Sequence, residues 1–209
     1  MHTRTEVMNI KLNLISGMAA VCLAVLFPIY WIYAVTGVFS EDAIGLMATD
    51  FSTLNAWDLL FVVIGLLEIV VYLGLYQLCR EQLNGGAAAI LLLIMTAIIA
   101  LFHSTVVIDV LLATGIVTTA IDSWITSGSI IGISLLVLYS LVAGVFAILL
   151  LTRFSELTTI MKAFAIGLLL MCLLQLSIIF AASNIVLFPI LLVLLAIQFF
   201  RNDHSIDLV

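Results

Sequence analysis

Three ionisable side chains stand inside long apolar runs of this 209-residue chain: Glu68, His103 and Asp109. A charge-bearing group in hydrocarbon is expensive, so each marks a place where protons, ions or a substrate could be handled. Gly65, Tyr72 and Tyr76 fall at −3, +4 and +8 from Glu68, on one face of a helix, and Asp58 lies seven residues before Gly65. That stripe carries a carboxylate, two phenols and a glycine that permits close approach, so it faces other helices or a cavity, not lipid. A carboxyl in such surroundings can carry a proton, and a histidine can pass one on. This is the chemistry of proton-coupled transport. Glu68 would be the proton- or cation-binding group, His103 and Gln175 its polar partners, and Tyr72 and Tyr139 hydrogen-bond donors. The competing use is structural: a protonated Glu68 bonded to Tyr139 or Gln175, tying helices together.

Depth along the helices groups these residues. Glu68 is 11 residues from Cys79, about 16 Å from the inner end of its run. His103 is 16 residues from Ala87, about 24 Å from the inner face, and Asp109, 22 residues from Ala87, is about 33 Å away, a solvated outer boundary. Gln175 sits about 20 Å deep, with Tyr139 and Ser140 at a similar level. Glu68, Tyr139, Ser140 and Gln175 thus share one slab, with His103 somewhat above it.

Enzyme chemistry fares worse. His2 and His204 lie in the tails, which leaves His103 as the one histidine in an apolar run. That excludes bis-histidine haem within one chain and argues against a multi-histidine zinc site. Ser127-Gly128-Ser129 has no later histidine within an apolar run to act as its base. No apolar run contains a lysine for a Schiff base. Cys22, Cys79 and Cys172 form no C-x-x-C pair and read as small hydrophobes. No phosphate loop and no H-E-x-x-H motif is present. Neither a catalytic residue, a metal nor a cofactor is expected.

The elements that must hold these residues follow from composition. Apolar residues make up 66% of the chain and charged residues 9%, against about 45–50% and about 25% in soluble domains. Such a chain cannot cover a water-facing surface, and with 6 basic residues it has no nucleic-acid footprint. Six apolar runs are long enough for transmembrane helices, at about 12–39, 57–79, 87–112, 129–152, 163–182 and 185–200. They make one all-α transmembrane domain over 1–209. The first run is too long for a signal-peptide core and is read as a retained helix. The sixth carries Pro189 in its first turn, and the fifth and sixth meet in a tight hairpin at Ser183-Asn184.

With six spans, Arg4, Lys11, Arg80, Arg153, Lys162 and Arg201 all fall on the side of the N-terminus. Basic residues mark the cytoplasmic side, so both termini are expected there. Trp31, Trp57 and Trp124 land near the opposite face, as an aromatic belt would. Glu41, Asp42, Asp50, Asp58 and Asp122 gather on the outer side.

Thr114–Gly128 has helical spacing of Ile116, Val117, Ala120, Ile121, Trp124 and Ile125, which predicts a short amphipathic helix on the outer leaflet. Glu41–Leu54 gives a weaker version, and Phe154, Leu157, Ile160 and Met161 could dock the inner connection before the fifth helix. Asn84-Gly85-Gly86 is a tight turn. Three helices per half suggest inverted repeats, with Leu67-Glu68-Ile69 matching Leu174-Gln175-Leu176.

The plan resembles a family of uncharacterised bacterial six-helix membrane proteins. The shared features are the long acidic first outer loop, Asp58-Leu59-Leu60 opening the second helix, Leu75-Tyr76-Gln77-Leu78 near its end, and Leu149-Leu150-Leu151-Thr152-Arg153-Phe154 closing the fourth. The resemblance implies a multi-pass protein of the bacterial cytoplasmic membrane and no particular activity. Two functions fit: a small proton- or cation-linked transporter, or a non-catalytic subunit or scaffold of a larger membrane complex. The expected partners are the bilayer and other copies or other membrane subunits.

Overall fold

The computed structural model describes residues 2–38, 53–83, 86–177 and 179–203. Its helices are α1 (His2–Val38), α2 (Ala56–Leu83), α3 (Gly86–His103), α4 (Val106–Ala113), α5 (Ile121–Thr152), α6 (Thr159–Leu176) and α7 (Asn184–Asp203). In hydrocarbon a chain must satisfy its backbone within each segment, which is why these apolar runs are helical. The third span consists of α3 followed by α4, so six segments are long and apolar enough to cross a membrane.

The spans pack in chain order around a ring, α1, α2, α3, α5, α6 and α7, and α7 closes it against α1. His2 and Asp203 therefore belong to the same end of the bundle, called proximal below. Lys11, Arg80, Arg153, Lys162 and Arg201 also lie at or near proximal helix ends. The proximal half is filled by Leu75, Phe146, Leu168, Leu192, Leu195 and Phe199, all buried. Outward-facing Ile15, Leu66, Ile90, Ile133, Ile166 and Ile190 are exposed, as a lipid-facing surface requires.

Glycine sets the closest approach in the proximal half. A Cβ on Gly74 of α2 would overlap the Ser16 hydroxymethyl group of α1 and stand 3.3 Å from the Phe199 ring of α7. The Ser16 hydroxyl also donates to the Val70 carbonyl at 3.2 Å. Gly74→Val is therefore expected to destabilise the bundle by about 1–3 kcal/mol through overpacking. Thermal unfolding in detergent checks this; an unchanged Tm would show that α1 and α2 can separate freely there.

Several boundaries differ from the sequence expectation. The third helix is not continuous over 87–112, because it breaks at Ser104 and Thr105. Their hydroxyls bond back to the Leu101 and Phe102 carbonyls at 2.7 Å each, which offers the backbone an alternative to the helical ladder. The amphipathic segment is no separate helix: Ile121–Gly128 forms the first turns of α5, which starts at Ile121 and not at Ser129. The break before it has left-handed backbone at Gly115 and Ala120, with φ of 69° and 55°.

The fifth helix ends at Leu176, six residues before the expected 182. There the Ser177 hydroxyl bonds to the Leu174 carbonyl at 2.6 Å and accepts from the Phe180 N–H at 3.3 Å. The hairpin is accordingly wider than Ser183-Asn184 and contains a short 3-10 segment at Ala181–Ser183. Since α7 starts at Asn184, Pro189 lies in its second turn, where it deprives the Ile185 carbonyl of its usual donor. Pro28 does the same to Ala24 inside α1.

In the inner connection Leu157 and Met161 are buried, whereas Phe154 is exposed beneath the Lys162 ammonium, 4.9 Å from its ring centroid. Thr158 caps α6 by accepting from the Met161 N–H and donates to Gln198 at 2.8 Å. Most of Glu41–Leu54, and the Asn84-Gly85 pair of the tight turn, lie outside the described residues.

Candidate functional site

A cavity of about 290 Å³ lies inside the ring and is lined from all six spans. Its volume is at the small end of ligand pockets, which run to about 1,000 Å³. Phe27 and Trp31 of α1, Phe102 of α3 and Phe188 of α7 supply aromatic wall. Glu68, His103, Tyr139, Ser140, Gln175 and Asn184 supply its polar atoms. Toward the distal end the lining reaches Val35 and the Ala181-Ala182 turn. On the proximal side the packed core begins at once around Tyr72, Leu75 and Phe146.

Glu68 and His103 meet. His103 Nε2 lies 3.3 Å from Glu68 Oε2, and both side chains are buried, with the glutamate 4% exposed. Gly65 makes this possible. A Cβ there would stand 2.6 Å from His103 Cδ2 and 2.7 Å from its Cβ, so the imidazole rests on the bare backbone of α2. The Phe61 ring holds the other side, at 4.2 Å between centroids.

His103 Nδ1 is buried without a hydrogen-bond partner. A doubly protonated ring would bury an unmet donor there. The arrangement with least unmet demand is the neutral imidazole donating from Nε2 to Glu68. The pair then carries one negative charge whenever Glu68 is ionised.

Two further pairs involve the cavity lining. Tyr72 and Tyr139 share a hydrogen bond at 2.5 Å between their hydroxyls and join α2 to α5 across the interior. Asn184 donates from Nδ2 to Gln175 Oε1 at 2.8 Å and to the Met171 carbonyl at 3.2 Å. Its Oδ1 is buried with no partner.

Of the residues singled out from sequence, Glu68, His103, Tyr139 and Gln175 therefore line one cavity. Tyr72 stands just beneath it, bonded to Tyr139. Asp109 does not line it; it lies on α4, partly buried. Glu68 bonds to His103, not to Tyr139 or Gln175. Ser140 lines the cavity but bonds to its own Leu136 carbonyl at 2.9 Å.

Sequence reasoning underrated the level of His103 because depth was counted from different run ends. Counted from the facing helix ends, Glu68 is 15 residues from Leu83 and His103 is 17 from Gly86, so antiparallel helices bring them level. The same symmetry about the α6–α7 turn would have found Asn184, which sequence reasoning missed.

The Glu68–His103 pair permits a stability test. His103→Leu leaves a buried carboxyl oxygen unmet and is expected to cost about 1–3 kcal/mol. The double replacement Glu68→Leu/His103→Leu is expected to recover most of it, since a buried polar pair and an apolar pair can be equally stable. Unfolding of both variants in detergent checks this; equal losses would mean that the two side chains are not coupled.

Six apolar spans closing a ring around an internal cavity define a polytopic membrane protein. Comparison with protein-family models, curated proteins and solved structures finds no match for the chain.

Proposed function

We propose that this protein is a small proton- or cation-linked transporter of the bacterial cytoplasmic membrane, with both termini in the cytoplasm. The observation that carries this reading is the Glu68–His103 pair in the wall of a cavity built by all six spans. Helix-to-helix glue needs no adjoining space. A carrier needs an ionisable group in contact with the volume its solute occupies. The orientation rests on the basic residues at the proximal end. The cavity then belongs to the outer half, and the core around Leu75 and Phe146 seals it from the cytoplasm. The tyrosine pair stands at that seal.

The direct test is reconstitution into liposomes holding a pH-sensitive dye, with an imposed pH gradient and a panel of small amines and neutral solutes. Wild-type protein is expected to relax the gradient when its solute is supplied. No response to any solute, together with a native mass shared with other chains, would favour a subunit of a larger complex.

A further inference from the structure

We infer that the cavity binds a small lipophilic amine in its protonated form, an inference that rests on the transporter reading and names its substrate class. Two observations on the cavity point there together.

The first is charge. Glu68 Oε2 is engaged by His103, and among the described residues no group bonds to Oε1. No lysine or arginine lines the cavity to neutralise it. An ammonium group supplies donors and a compensating charge at once. The second is the aromatic wall. Phe27 and Phe188 approach to 4.6 Å between centroids, and Trp31 stacks on Phe102 at 6.5 Å. These faces suit an apolar body and attract a cation besides.

The hairpin between α6 and α7 says why the amine is lipophilic. Leu176 is 14 residues from Lys162, about 21 Å, and Asn184 is 17 residues from Arg201, about 26 Å. On α1, Val38 is 27 residues from Lys11, about 40 Å, and on α5, Ile121 is 32 residues from Arg153, about 48 Å. The hairpin thus stops short of its neighbours, within the roughly 30 Å of hydrocarbon measured from the basic residues. Its turn is apolar, with Ile179 84% exposed and Phe180 58% exposed. The same turn contributes Ala181 and Ala182 to the cavity. The low rim of the ring therefore faces the outer leaflet, and a solute dissolved in that leaflet reaches Glu68 across it.

The test is equilibrium binding to the detergent-purified full chain, read from the fluorescence of Trp31 after Trp57→Phe and Trp124→Phe. The probes are 2-phenylethylamine and 2-phenylethanol at neutral pH. They share the ring and a donor and differ in charge. The amine is expected to bind at least about tenfold tighter than the alcohol, since an ionised partner strengthens the hydrogen bond. Glu68→Gln should remove that preference and Glu68→Asp should retain it, with circular dichroism confirming that both fold. Equal binding of amine and alcohol, an unchanged preference in Glu68→Gln, or no binding of either probe would overturn the inference. Amine binding without any flux in liposomes would leave the site standing and remove the transporter reading. Solute-coupled proton flux without amine binding would do the reverse.

Discussion

In liposomes, Glu68→Gln is expected to reduce pH-dependent flux to the level of protein-free vesicles. Glutamine has the size and shape of glutamate and can still bond to His103 Nε2 from the same rotamer. It cannot take up or release a proton, and it cannot neutralise a cation. The substitution therefore removes the chemistry and leaves the packing around Gly65 and Phe61 in place. A thermal unfolding curve close to that of wild type is part of the expected result, because it separates loss of function from loss of fold. The stability series at His103 complements it. If Glu68→Leu/His103→Leu is as stable as wild type and yet carries no flux, the pair serves function and not cohesion. Wild-type flux in Glu68→Gln would sink the assignment of Glu68 as the coupling group.

The second large effect is expected at Gly65. Leucine there must enter the space of the His103 imidazole, whose Cδ2 and Cβ stand 2.6 and 2.7 Å from the Cβ position. The neighbour cannot yield easily, since Phe61 packs on the same ring at 4.2 Å between centroids. Overpacking of this kind costs about 1–3 kcal/mol, and the ring can be relieved only by leaving Glu68. Gly65→Leu is therefore expected to lower Tm by several degrees and to remove coupled flux as fully as Glu68→Gln does. Combining it with His103→Ala should recover the part of Tm lost to overpacking, because the new side chain fills the vacated ring volume, but not the part due to the unmet Glu68 carboxyl, and not flux. Unfolding and flux measured on the three proteins decide the matter. Retained flux in Gly65→Leu would mean that the histidine contact is dispensable.

Much of this could be read along the chain. Gly65 was singled out as a point of close approach because it lies three residues before Glu68 on the same helical face, and His103 now occupies that approach. The six spans followed from run length, since only a helix satisfies its own backbone in hydrocarbon. Two of the misplaced boundaries, at 104–105 and at 177, share one cause. Ser104, Thr105 and Ser177 bond to nearby backbone carbonyls and interrupt helices whose hydropathy continues without a break. Hydropathy windows average over single hydroxyls and do not register them.

Composition and spacing alone determined that the chain is a six-helix membrane bundle, that its basic residues gather at one end, and that Glu68 must turn away from lipid. These are one-dimensional consequences of solvent: apolar length matches bilayer thickness, and charge avoids hydrocarbon. Only the tertiary structure decided which partner Glu68 meets, that Gln175 pairs with Asn184 while Asp109 stands apart from the cavity, and that the ring encloses a space at all. Those depend on how each helix is rotated about its axis and on which helices are neighbours. In a chain this apolar every face of every helix tolerates lipid nearly equally. Rotation is then set by close contacts such as Gly65 on His103 and Gly74 on Ser16, which exist only once the helices have met.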